Sequence, residues 1–221
     1  MCQAPPRLMD VRYPRHMNES SDMNRWTEII TKDPGHSQRY IERFEKMEAE
    51  GRDLDGEARL IDAITGRESR ILDAGCGPGR VGAKLAGLGH IVVGVDLDPV
   101  LIAAAKAKHP GATWVVGDLS KIDLAGPEVG GSIDVLVCAG NVMRFLAPDN
   151  RQAVLMNFRR SLAPSGRAVL GFGSGGGEYE FDDYRADVSA AGLVIDAQFS
   201  SWDLRPVASD PGFLVSFLSV A

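Results

Sequence analysis

The chain has 221 residues, 44% of them hydrophobic and 24% charged, which is enough apolar mass for the core of one α/β domain and too much for a disordered polymer. A formal net charge of −6 supplies no basic field to draw in phosphate backbones, so nucleic acid is disfavoured as a target and a small molecule is favoured. Cys2, Cys76 and Cys138 stand at no metal-ligand spacing and in no disulfide framework, so the sequence offers no metal site and fits a reducing, cytoplasmic setting.

Residues 1–22 are rich in Pro, Arg and Ser and read as a flexible tail. They contain no apolar stretch of signal-peptide length, and no run in the chain approaches the ~20 apolar residues that cross a bilayer. Residues 23–66 read as N-terminal helices covering the site. In them Tyr40, Ile41, Phe44 and Met47 recur at helical spacing after Ser37, and Leu60, Ile61 and Ile64 follow from Gly56. Residues 67–221 alternate strand and helix. The spacing predicts a strand near Arg70, a helix from Arg80 to Leu88 stopped by Gly89, a strand from His90 to Asp96 and a helix from Asp98 to Lys108 capped by Asp98 before Pro99. A third strand carries Trp114, and Ser132 to Ala139 is an uninterrupted apolar strand of the kind buried on both faces of a parallel sheet. A helix over Gln152–Leu162, a turn at Ala163–Gly166, a strand over Arg167–Phe172 and a helix around Asp182–Ala191 follow. The last two apolar runs, Leu193–Phe199 and Gly212–Val220, have no helical pattern between them and should pair antiparallel. The fold class is α/β, a Rossmann-like doubly wound sheet that is mostly parallel and ends in an antiparallel strand.

The first strand runs into Asp73-Ala74-Gly75-Cys76-Gly77-Pro78-Gly79, a glycine-rich turn with a carboxylate where the strand stops. Glycines at 75, 77 and 79 allow a tight turn and a close approach of backbone to a nucleotide-type ligand, while Cys76 is a small residue filling the turn. The segment Gly77-Pro78-Gly79-Arg80-Val81-Gly82 also fits the dinucleotide fingerprint, so glycines alone do not separate NAD from other adenosine cofactors. Asp73 does. Its charge opposes a pyrophosphate in a partly dehydrated cleft and suits a cationic ligand such as S-adenosylmethionine, which carries an ammonium and a sulfonium and no phosphate. Asp96, with Leu97 after it, ends the second strand roughly 20 residues on, the distance at which an acid meets ribose hydroxyls. Asp118, followed by Leu119, ends the third and can accept a hydrogen bond from an adenine amine.

This order resembles the class I S-adenosylmethionine-dependent methyltransferases. The resemblance, which runs from Ile71 to the C-terminus, implies that Asp73 with Gly75, Gly77 and Gly79 holds the methionine part of the cofactor, Asp96 the ribose and Asp118 the adenine. The antiparallel ending resembles the family's extra hairpin strand. Each acid also has a plainer reading, as a helix N-terminal acid for Asp73 and as a loop cap for Asp118.

Methyl transfer from a sulfonium is an in-line displacement, so the enzyme must align the acceptor, exclude water, and supply a base only where a proton leaves. The end of the fourth strand, Cys138 to Phe145, would lie beside the reactive end of the cofactor. There Asn141 either orients the acceptor or satisfies strand-end backbone, and Arg144 either anchors an anionic group or pairs at the surface. Asn141-Val142-Met143 departs from the Asn-or-Asp-Pro-Pro pattern of amino-group methyltransferases, which argues against exocyclic-amine chemistry. His36, before the helix that carries Tyr40, is either a base or a cap. Gly171 to Gly177 after the fifth strand is either a gate or a linker, and Tyr179, Asp182, Asp183 and Tyr184 beyond it are candidate acceptor contacts. Two other classes compete. An NAD-dependent oxidoreductase is opposed by Asp73 and by the lack of a Tyr-x-x-x-Lys pair, whereas a non-catalytic sensor of the same cofactor satisfies every motif named.

Overall fold

The computed structural model describes residues 23–174, 179–209 and 211–221. Three helices come first: α1 (Arg25–Lys32), α2 (His36–Ala49) and α3 (Gly56–Ala63). The alternating part follows as β1 (Arg70–Ala74), α4 (Arg80–Gly87), β2 (Ile91–Asp96), α5 (Pro99–Lys108), β3 (Thr113–Val116), β4 (Ile133–Cys138), α6 (Val142–Phe145), a 3-10 turn at Pro148–Asn150, α7 (Arg151–Ser161), β5 (Leu162–Phe172), α8 (Phe181–Ala190), β6 (Leu193–Phe199) and β7 (Leu214–Val220). The seven strands form one sheet in the order β3-β2-β1-β4-β5-β7-β6. β1 to β5 pair parallel, and β7 lies antiparallel between β5 and β6, so the two C-terminal apolar runs do pair as the sequence predicts.

Alternation along each central strand divides the core in two, because successive side chains leave a pleated strand on opposite faces. Leu72, Leu136 and Leu170 face α7 and α8, packing with Leu155, Phe158, Tyr184 and Val188. Ile71, Val135, Val137 and Val169 face the other way onto Ala58 and Ile61 of α3 and Val81 and Leu85 of α4. Strand order reverses between β1 and β4, and a crevice therefore opens at the carboxyl ends of those strands. Among the described residues no helix is long and apolar enough to cross a membrane.

One expectation is corrected and two helices are added. Ala163–Gly166 is not a free turn, because β5 begins at Leu162 and the segment bulges against β4 between the pairs Ile133–Leu162 and Val135–Arg167. Gly166 sits so close that a Cβ there would lie 2.5 Å from the Ile133 carbonyl oxygen. Helices α1 and α6 are elements that the sequence pattern does not delimit. Asn24 caps α1 by accepting the Trp26 N–H at 2.8 Å, and the i, i+3, i+4 spacing of Trp26, Ile29 and Ile30 gives it a single apolar stripe. Tail residues 1–22 and residues 175–177 of the glycine segment lie outside the described residues.

Candidate active site

A cavity of about 730 Å³ occupies the crevice, with the carboxyl ends of β1, β2, β3 and β4 as its floor and α1 and α2 above it. Asp73, Gly75, Cys76, Gly77, Asp96, Leu97, Asp118, Leu119, Asn141, His36 and Arg144 all line this one space, although they are spread over more than a hundred residues of chain. Two of the residues expected at the cofactor do not. Ala74 points into the core with Leu72, as alternation from Asp73 requires, and Gly79 turns its Cα toward packing, where a Cβ would stand 2.8 Å from the Trp114 ring.

The turn after β1 has its shape because side chains are missing from it. Gly75 and Gly77 both hold positive φ, 75° and 56°, and a Cβ on Gly75 would stand 2.3 Å from Val142 Cγ2 of α6. The Gly77 N–H donates to Asp96 Oδ2 at 2.8 Å, which binds the turn to the end of β2. The other Asp96 oxygen accepts the Asp98 N–H at 2.9 Å, and burial pushes the Asp96 carboxyl up to about 6. Asp73 is 2% exposed and accepts the Gly82 N–H of α4 at 2.8 Å through Oδ2. Burial dominates its titration as well, lifting it to about 7 against the pull of that hydrogen bond and of Arg80. An acid held at such a value is ready to ionise when a cation arrives. Asp118 differs. Burial would raise it, but the hydroxyl and backbone N–H of Ser120 at 2.7 and 2.9 Å, with Lys121, hold it below the usual carboxylate range. Burial pushes the Cys76 thiol up, consistent with a turn-filling residue rather than a nucleophile.

At the other end of the cavity Asn141 holds φ 66° and accepts the Gly173 N–H through Oδ1 at 2.9 Å. It thereby ties the end of β4 to the end of β5 while still facing the cavity. His36 opens α2, with its ring 5.1 Å from that of Trp26 and its Nδ1 4.0 Å from Asp33. Tyr40 packs on Trp26 and Phe44 as the apolar pattern predicts, but it also faces the glycine turn, 3.8 Å from where a Gly77 Cβ would be. Tyr179 and Tyr184 are corrected: they are 1% and 0% exposed, pack around Phe172 in the core, and do not line the cavity. Asp182 and Asp183 open α8 and do not line it either.

Sequence reasoning missed the residues that hold the upper wall in place. Arg80 reaches back to α3 in a two-point pair with Glu57, at 2.7 and 2.9 Å, and also donates to the Leu54 carbonyl. Asp98, read as a cap, does accept the Val100 N–H at 2.8 Å through Oδ1. Its Oδ2 also accepts from Trp26 Nε1 at 2.8 Å and from the Ser37 hydroxyl. Trp26 stands among His36, Tyr40 and Phe145, and Arg43 lies over the Tyr40 and Phe44 rings. The spacing of the α1 stripe was the available signal for Trp26; nothing local marks Glu57 or the second role of Asp98.

With the geometry in place, comparison with known proteins is informative. A family model described as a methyltransferase domain matches residues 71–166. The solved structure of a TehB-like SAM-dependent methyltransferase from Corynebacterium glutamicum is 46% identical, superposes with a TM-score of 0.81, and the match covers 86% of this chain and 100% of that one. Magnesium-protoporphyrin O-methyltransferase of Rhodobacter capsulatus is 31% identical over 61% of this chain and 58% of its own length. The small-subunit ribosomal RNA methyltransferase C of Chromohalobacter salexigens is 36% identical over 46% of this chain and 30% of its own. The chain thus spans less than two thirds of the length of either of these two curated relatives.

Proposed function

The chain belongs to the class I S-adenosylmethionine-dependent methyltransferase family, an enzyme family whose cofactor is S-adenosylmethionine, and we propose that it transfers the cofactor's methyl group to a small-molecule acceptor by in-line displacement. The observation that carries this reading is the convergence of the glycine turn, Asp73 and Asp96 on one cavity that also reaches Asn141. The residues fit such a cofactor. Gly75 and Gly77 both line the space, a side chain at Gly77 would project toward Tyr40 beside it, and two buried acids titrate near neutral pH, where a cation would favour their charged forms.

In this reading Asp73 faces the cationic methionine end, Asp96 accepts from the ribose hydroxyls, and Leu97, Asp118 and Leu119 flank the adenine. When bound, the cofactor supplies an electrophilic methyl on sulfur. The rest is positioning. Asn141 orients the accepting atom, its side chain fixed by Gly173; Arg144 and His36 line the acceptor end; and α1 to α3 act as a cover that excludes water. The acceptor is small because α1 and α2 close over the space and because the net charge of −6 does not suit a polynucleotide such as the ribosomal RNA of one relative. Buried free Cys76 and Cys138 accord with a cytoplasmic, reducing setting.

Calorimetric titration with S-adenosylhomocysteine and with NAD, followed by a radiolabelled methyl-transfer screen against size-fractionated cell extract, tests the reading. Binding of the homocysteine product, no response to NAD, and label entering the low-molecular-weight fraction are expected. Label confined to macromolecules would refute the acceptor class, and binding without transfer to any fraction would leave the chain a sensor.

A further inference from the structure

Asp98 stands outside the cavity lining, yet it is 1% exposed and carries more long-range hydrogen bonds than a helix cap needs. One oxygen does the capping, accepting the Val100 N–H at 2.8 Å. The other accepts two donors from the N-terminal cover, Trp26 Nε1 of α1, 72 residues away, and the Ser37 hydroxyl of α2, 61 residues away. Its own backbone N–H goes to Asp96 Oδ1 at 2.9 Å, and Gly77 holds the opposite Asp96 oxygen. One residue therefore touches both the cover and the acid at the end of β2.

The bond from Trp26 fastens α1, a helix that is nowhere buried. None of its residues is buried, and the Trp26 ring adds edge contacts with His36, Tyr40 and Phe145. An element with so little burial belongs to the low-stability part of a fold, the part from which moving segments are drawn. It also lines the cavity, through Arg25, Trp26 and Ile29 with its cap Asn24.

We propose that Asp98 is a positioning residue that couples the cover to cofactor binding, fastening α1 and α2 through Trp26 and Ser37 while orienting Asp96 through its backbone N–H. The proposal rests on the assignment of Asp96 to the ribose. With the cover docked, the Asp98 carboxyl is pinned by three donors, which fixes the direction of its N–H and holds the Asp96 carboxyl between that N–H and Gly77. A ribose bound to Asp96 in turn favours the docked cover, because coupling between two sites is reciprocal.

Trp26→Phe removes the indole N–H and keeps an aromatic ring among its neighbours, and Ser37→Ala is a smaller change that removes the second donor. Both are made in the full chain, alone and combined with Asp96→Ala, and titrated with S-adenosylhomocysteine. Each single latch variant should bind about 5- to 10-fold more weakly, a fraction of what a charge-assisted hydrogen bond is worth directly. Each should weaken binding little further in the Asp96→Ala background, because the coupling runs through Asp96. In the wild-type chain the ligand should slow amide exchange across residues 25–49, and in Trp26→Phe that protection should disappear while protection of the glycine turn remains. Wild-type affinity and wild-type protection in both latch variants overturn the coupling, as do losses that simply add to that of Asp96→Ala. Unchanged affinity in Asp96→Ala alone instead overturns the ribose assignment, and the coupling with it, so the two failures are distinguishable.

Discussion

Replacing Asp73 by Asn separates what the buried carboxyl costs the fold from what it offers a ligand. Burial lifts its pKa from the ordinary 3.8 to about 7. At ~1.4 kcal/mol per pH unit that elevation represents on the order of 4 kcal/mol. The sign follows from proton linkage: the folded chain holds this proton more tightly than the unfolded chain, so the group's contribution is most favourable below about pH 4, erodes as pH climbs to about 7, and is flat above that. Asn has the same shape, can still accept the Gly82 N–H and cannot ionise, so Asp73→Asn should stabilise the ligand-free protein at pH 8 by a few kcal/mol. At pH 5, where the folded-state carboxyl is already protonated, the gain should fall to less than ~2 kcal/mol. Urea melts at the two pH values measure both. Affinity for S-adenosylmethionine should move the opposite way, dropping by about 100-fold or more in the variant as the anionic partner of the ammonium is lost. A variant no more stable than wild type at pH 8, or equally stabilised at both pH values, refutes the argument that Asp73 is a strained acid waiting for a cation.

In the wild-type chain cofactor affinity should rise as pH goes from about 5.5 to 7.5, because Asp73 at about 7 must give up its proton to meet the ammonium and Asp96 at about 6 must give up its own to accept freely from the ribose hydroxyls; a flat calorimetric profile over that window would count against either acid as a ligand. Gly75→Ala should destabilise the chain by about 2 kcal/mol or more, since it adds strain at φ 75° to a Cβ 2.3 Å from Val142 Cγ2; adding Val142→Ala should restore part of the loss in a urea melt, and no restoration would place the whole effect in the backbone. Asn141→Ala should lower the methyl-transfer rate by about 10-fold or more with cofactor affinity nearly unchanged, and Asn141→Gly, which tolerates φ 66°, should not recover it. Equal losses of rate and affinity would make Asn141 a support for the cofactor pocket, and recovery in Asn141→Gly would reduce it to a backbone tether.

What could be read in the sequence was what is local. β1 and β4 are continuous apolar runs because both of their faces are covered, and Asp73 and Asp96 mark where such runs stop and a ligand edge begins. Period-2 alternation, followed strictly, also separates Ala74 from its neighbour, since Leu72 and Ala74 share the core face and Asp73 does not. Short elements carry too few repeats to register, which is why the sequence pattern does not delimit the four-residue α6. The remaining misses depend on strand order and on helices returning from far along the chain. Asn141 finds Gly173 because β4 and β5 are sheet neighbours, and Arg80 finds Glu57 because α3 lies against α4. Asp98 shows where the division falls. Its position before Pro99 identified the cap correctly from two adjacent residues, while its other oxygen takes its meaning from donors 61 and 72 residues away, so the same carboxyl is a local signal and a tertiary latch at once.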